Sequence, residues 1–147
     1  MMLWPIGPDG ACAGVSGPLP DDAAALMDAT RQLYADQGHH PPWISYLACI
    51  DGEMVGGGAF VGRPTAEGAE IAYFTRTCRQ GEGLAGRTAA ALVTIARGAA
   101  PGLPIWAKTL PQENASTKVL KRLGFAHTGT AHDHEIGPAW RWELSPP

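Results

Sequence analysis

The sequence has no cysteine pair, no basic cluster and no long apolar run, and each absence removes a class of function. Its three cysteines, Cys12, Cys49 and Cys78, are odd in number and scattered. None sits in a Cys-x-x-Cys pair, so neither a zinc site nor a redox dithiol is expected, and the thiols read as isolated packed residues. With 11 Lys and Arg against 14 Asp and Glu, the formal charge is -3. The clustered cationic face that a phosphate backbone requires is missing, so nucleic acid is not an expected partner. Although 45% of the residues are hydrophobic, Gly and Pro interrupt them before any stretch reaches membrane-spanning length. Met1 to Ile6 carries no basic residue ahead of an apolar segment, so no secretory signal is expected and the predicted compartment is the cytoplasm.

What remains is a globular composition, and 147 residues suit one domain over 1–147. The segment through Pro20 is rich in Gly and Pro and promises at most one short strand near Leu3 to Ile6. From Asp21 to Gln37, apolar residues recur at Ala23, Leu26, Met27, Leu33 and Tyr34, which predicts a helix with Asp21 as cap and Gly38 as terminator. Ser45 to Ile50 and Met54 to Val61 are β-prone runs joined at Asp51-Gly52, a strong hairpin signal. Glu70 to Thr75 reads as a strand, followed by a glycine-rich turn over Gln80 to Gly86. A helix then presents Leu84, Thr88, Ala91, Leu92 and Ile95 on one face. Leu103 to Thr109 reads as a strand and Asn114 to Leu123 as a short helix ended by Gly124. Phe125 to Ala131 and Ala139 to Leu144 close the chain as paired strands.

The glycine turn carries the chemistry. Gly81 and Gly83 lack Cβ atoms, so backbone amides at the start of a helix can approach an anion closely, and the positive end of the helix dipole favours it. No Gly-x-x-x-x-Gly-Lys-Ser/Thr phosphate loop is present. The turn does fit Gln/Arg-x-x-Gly-x-Gly/Ala, as Gln80-Gly81-Glu82-Gly83-Leu84-Ala85. Glu70-Ile71-Ala72-Tyr73-Phe74 precedes it, and Asn114-Ala115-Ser116-Thr117-Lys118-Val119-Leu120-Lys121-Arg122-Leu123-Gly124-Phe125 follows.

Together these three segments resemble the Gcn5-related N-acetyltransferases (GNAT), and among them the ribosomal-protein N-acetyltransferase branch, from about Trp43 to Trp142. The resemblance implies an α/β fold with a mixed central sheet, splayed in the middle and flanked by helices. It implies acetyl-CoA as cosubstrate, without metal, and a small-molecule or peptide amine as acceptor. It places the pyrophosphate on Gln80, Gly81, Glu82, Gly83, Leu84, Ala85 and Gly86. The pantetheine arm would lie along Tyr73, Phe74, Thr75, Arg76 and Thr77, beside a bulge in that strand, with Asn114 and Ser116 also in contact.

Amine attack on a thioester needs a base for the ammonium proton and an acid for the departing thiolate. Glu70, in an otherwise apolar strand, is the candidate base, against the alternative that it simply faces solvent. The tyrosine that many family members carry one turn before the last helix's glycine is Leu120 here; Ser116 resembles the serine that the ribosomal-protein branch keeps beside the coenzyme sulfur, so the acid is either Ser116 or water, with helix capping as the other reading of Ser116. That vacancy also keeps open a non-catalytic acyl-CoA-binding module. Asn114 has a second reading, as helix cap. His127, His132 and His134 with Asp133 and Glu135 are not expected to bind metal, since no helical His-x-x-x-His spacing accompanies them. Trp140 and Trp142 form an aromatic strand face, read as core packing or a homodimer contact. His39-His40-Pro41-Pro42-Trp43 could wall the acceptor site.

Overall fold

The architecture rests on local signals that the chain obeys closely. In the computed structural model, which describes Met1 to Pro147, β2 (Ser45–Ile50) and β3 (Glu53–Phe60) pair through the Asp51-Gly52 turn. Both turn residues have positive φ, 50° and 79°, as the tightest hairpin twist demands. β1 (Met2–Pro5) adds antiparallel to β2, and β4 (Ala69–Thr75) adds antiparallel to β3. A crossover through α2 (Leu84–Ala99) then lays β5 (Ile105–Thr109) parallel to β4, in the only parallel pairing of the sheet. β6 (Ala126–Asp133) and β7 (Gly137–Leu144) form a hairpin, giving the strand order β1-β2-β3-β4-β5-β7-β6.

Helices cover both faces unequally. α1 (Ala24–Gln37) packs on one face, closing a cluster of Ile6, Ala23, Met27, Leu47, Cys49 and Met54. The glycine-rich N-terminal segment contributes to this cluster, since Cys12, Val15 and Leu19 pack against it. On the other face lie α2 and α3 (Ala115–Arg122) over the main core of Phe60, Ile71, Leu92, Ile105, Leu120 and Trp142. The buried stripe of α2 is Leu84, Thr88, Leu92 and Ala96 with Ala89 and Val93, so Ala91 and Ile95 sit nearer its flank than expected. Glycine in β3 makes this close layering feasible: a Cβ on Gly58 would come within 2.9 Å of Leu92 and 3.0 Å of Thr88.

Two local expectations fail. Asp21 does not cap the first helix; it begins a 3-10 turn, Asp21–Ala23, that runs into α1 with no side-chain cap. Gly38, at φ 83°, does end it. The bulge expected in β4 is also absent. The β3–β4 register runs unbroken from Gly56–Thr75 to Phe60–Ile71. The sheet opens instead because β5 pairs with β4 only at Ala69–Ile105, Glu70–Trp106 and Ile71–Ala107, and thereafter stays with β7 alone. Ala72 to Thr75 therefore present a backbone edge toward β5 with no strand partner.

Candidate active site

The C-terminal half of β4, the glycine turn and α3 enclose a groove of about 560 Å³. Its walls are Tyr73, Phe74 and Thr75 on β4, Gln80, Gly81 and Gly83 through Gly86 at the turn, and Ala115, Ser116, Lys118, Val119 and Arg122 on α3. Gly81 and Gly83 adopt φ of 83° and 75°, a left-handed conformation that disfavours any Cβ. With glycine before it, α2 starts without a side-chain cap, and its first amides have no carbonyl partner within the helix. Leu84 is buried and anchors that terminus to Ala48 and Val55. Arg79, Lys118 and Arg122 add positive charge around the groove, so it can receive a ligand with several anionic groups.

The other residues expected on the coenzyme behave differently. Arg76 turns away, its Nε 3.0 Å from both carboxylate oxygens of Asp22, and Thr77 begins a 3-10 turn outside the groove wall. Glu82 also points off the groove and chelates Arg79 at 2.9 and 3.1 Å, which holds its carboxyl below the usual range. Asn114 caps α3: its Oδ1 accepts from the Thr117 amide while Thr117 Oγ1 accepts from the Asn114 amide, each at 3.0 Å. Asn114 thus takes the helix-cap role and stands outside the groove's lining. Thr75, on the groove wall, keeps a buried hydroxyl with no partner.

A pair that sequence reasoning missed stands inside the groove. Tyr73 Oη lies 3.1 Å from Ser116 Oγ, across 43 residues of chain. Burial raises the Tyr73 phenol above its ordinary value, with the Ser116 hydrogen bond opposing, so the phenol stays protonated at neutral pH. Leu120, where a tyrosine was sought, is fully buried core. The resemblance set Tyr73 on the pantetheine arm but gave it no proton to carry; alternation along β4 sets it on the α3 side with Ile71.

Glu70 falls on the opposite face by the same alternation, and the structure does not bring it and Ser116 to one side. Nor is it solvated: its side chain is only 15% exposed, with Oε2 3.6 Å from Lys108 Nζ. Desolvation raises its carboxyl above the ordinary range, and the Lys108 ammonium works against that rise. Beside it, the Arg141 guanidinium stacks 3.9 Å from the Trp106 ring centre.

Several of the remaining candidates are engaged in packing or turn contacts. His127 stacks against Trp142 and Trp140, Asp133 Oδ1 accepts from the Glu135 and Ile136 amides, and Trp142 is buried with its indole N–H on Thr109 Oγ1. Trp43 meets Phe60 edge-on, and His39 meets Tyr34. A larger cavity of about 720 Å³ lies at the β1 edge beside His39, Pro41 and Pro42, but it includes no residue of the glycine turn or of β4.

The comparisons agree with this architecture. RimL, a ribosomal L7/L12 alpha-N-protein acetyltransferase solved with coenzyme A, superposes with a TM-score of 0.65 at 19% identity, over 85% of this chain and 72% of its own. The Salmonella typhimurium protein yncA, solved with its cofactor acetyl-CoA, gives 0.60 at 20%, over 86% and 73%. A GNAT-family structure from Desulfovibrio desulfuricans gives 0.66 at 17%, over 90% and 86%. Such identities attest the fold alone. No curated protein is similar enough to match. The acetyltransferase (GNAT) domain model matches residues 11–126, well over half of the sequence, and the chain belongs to the GNAT acetyltransferase family.

Proposed function

We propose that this chain, as one domain, transfers an acetyl group from acetyl-CoA to a primary amine by direct attack. The observation that carries the reading is the parting of β4 from β5 after Ile71 and Ala107, where the open strand edge meets a groove that ends on the glycine turn. The amides of Leu84, Ala85 and Gly86 would hold the pyrophosphate, with Lys118 and Arg122 as countercharges. The unpaired edge from Ala72 to Thr75 offers strand-like hydrogen bonds to the amides of the pantetheine arm. The turn also satisfies the Gly-x-Gly-x-x-Gly spacing of dinucleotide folds through Gly81, Gly83 and Gly86. Those folds require a largely parallel sheet, whereas here one parallel pair sits among antiparallel strands.

Acetyl-CoA would supply the activated thioester, and the chain's own groups would manage the protons. Glu70 accepts a proton from the acceptor ammonium on the open face, freeing the lone pair for attack. Tyr73, hydrogen-bonded to Ser116, donates toward the departing sulfur from the α3 face. The two groups lie on opposite faces of β4, Glu70 beside Lys108 and Tyr73 beside Ser116, which keeps the proton taken from the amine apart from the one given to the sulfur when the tetrahedral intermediate collapses. This phenol fills the role left vacant at Leu120, which favours an enzyme over a passive binding module. The branch likeness points to a peptide N-terminus as an acceptor worth trying first, and three free thiols suit the reducing cytoplasm.

Thiol release over a panel of amines and N-terminal peptides, with calorimetry of coenzyme A, tests the reading. Turnover that disappears in E70Q, with coenzyme affinity intact, supports it. Tight binding without turnover for any amine would return the chain to a binding module, and no binding at millimolar coenzyme would end the proposal.

A further inference from the structure

Lys108 is the first β5 residue beyond the last β4–β5 pair, at the point where the sheet opens. Its side chain shares a face with Glu70 and Trp106, because residues two apart on a strand point the same way. Rather than extending to solvent it is only 21% exposed, with Nζ 3.6 Å from Glu70 Oε2 and 3.4 Å from Asp133 Oδ2. Asp133 ends β6 at the tip of the β6–β7 hairpin, and its other oxygen is committed to the turn amides of Glu135 and Ile136. One ammonium thus bridges a carboxylate on the central strand and one on a hairpin tip.

We propose that Lys108 is a positioning residue that holds the Glu70 carboxylate at the mouth of the opening, and that Asp133 governs how firmly it does so. The inference rests on Glu70 being the base and adds two residues to that reading. Glu70 takes one proton from the acceptor ammonium and later releases it to water; Lys108 and Asp133 transfer none. A lone Lys108–Glu70 pair would favour the carboxylate strongly and weaken it as a base. By drawing part of the ammonium's field, and by its own negative charge, Asp133 restores basicity. The one other charge acting on Glu70, Arg141, is already engaged by Glu67 at 3.4 Å and Glu143 at 3.6 Å and stacked on Trp106. The hairpin tip is in this way tied to the proposed base.

The two variants must act with opposite sign. In the full chain carrying carboxyl-¹³C glutamate, the Glu70 resonance is identified by its loss in E70Q and titrated by NMR. K108M should move the midpoint to higher pH, and D133N, whose Oδ1 still accepts the turn amides, to lower pH, each by about one pH unit. K108R should leave it near wild type. With the best amine of the panel, the acid limb of kcat/KM should move in step. Midpoints that stay put, or move the same way in both variants, overturn the inference while leaving the base assignment intact. An acid limb unchanged in E70Q overturns the base assignment itself and the catalytic role of Lys108 with it.

Discussion

Replacing Tyr73 by Phe removes one oxygen and little else, which makes it the cleanest probe of the proposed acid. The ring packs against the main core and stays there in the variant. Losing the 3.1 Å contact to Ser116 should lower stability by about 1 kcal/mol, since the partner hydroxyl lines the groove and can find water. The kinetic loss should be larger. A positioned general acid contributes about 10² to 10⁴ in rate. A thiolate, with an ordinary pKa near 8.5, is a fair leaving group that sets the gain near the lower bound. We expect kcat to fall by about 10², or about 2.7 kcal/mol. S116A should cost about tenfold, because Ser116 orients the phenol, and the double variant should be no worse than Y73F. Free-thiol release at saturating substrates gives kcat, and calorimetry gives the coenzyme Kd, which should be unchanged. Because burial keeps the phenol protonated, the deficit should be level between pH 6 and 9. A Y73F enzyme with wild-type kcat would refute the assignment, as would a deficit accounted for entirely by weaker coenzyme binding.

Other consequences concern the turn, the cap, the core and the buried carboxyl. Gly83→Ala forces a Cβ into a left-handed residue with φ 75° and should cost about 1 kcal/mol of stability, read by thermal unfolding, and weaken coenzyme A at least tenfold by calorimetry. Strain with unaltered affinity would detach the turn from the ligand. Asn114→Ala should lower stability by about 1 kcal/mol through loss of the reciprocal cap while coenzyme affinity holds within about twofold. A selective loss of affinity would restore Asn114 to the pantetheine arm. Leu120→Tyr should not raise turnover and should destabilise by about 1 to 3 kcal/mol, since that position is fully buried in the main core. Glu70's raised folded-state pKa means that the native state holds its proton more tightly than the unfolded chain, so stability falls as pH rises from the ordinary carboxylate value through the raised one. E70Q should accordingly be no less stable than wild type at pH 7, with the difference closing toward pH 4 in thermal scans.

Which parts of this site were legible in the sequence follows from how far apart the determining residues lie. The Asp51-Gly52 hairpin, the left-handed Gly81 and Gly83, and the Asn114 cap each depend on neighbours within four residues, so residue type and spacing suffice. Asp21 misled because a 3-10 turn competes with helix over the same few residues, and that balance depends on Ala23 reaching the Met27 cluster. The supposed bulge misled for a deeper reason. The sheet opens because β5 stays with β7 after Ala107, and no feature of β4 itself encodes it. The same holds for the groups proposed to handle protons: Tyr73 gains its partner from α3, and Glu70 gains its cation from β5 and, through Lys108, a second carboxylate from a hairpin tip. Each partner follows only once the alternation of β4, the register against β5 and the face chosen by α3 are fixed together. Binding the coenzyme calls on a helix terminus that its own glycines announce and on a strand edge that only the pairing of β5 with β7 exposes. Moving protons requires side chains matched across the sheet, so of the whole site only the glycine turn could be read without the fold.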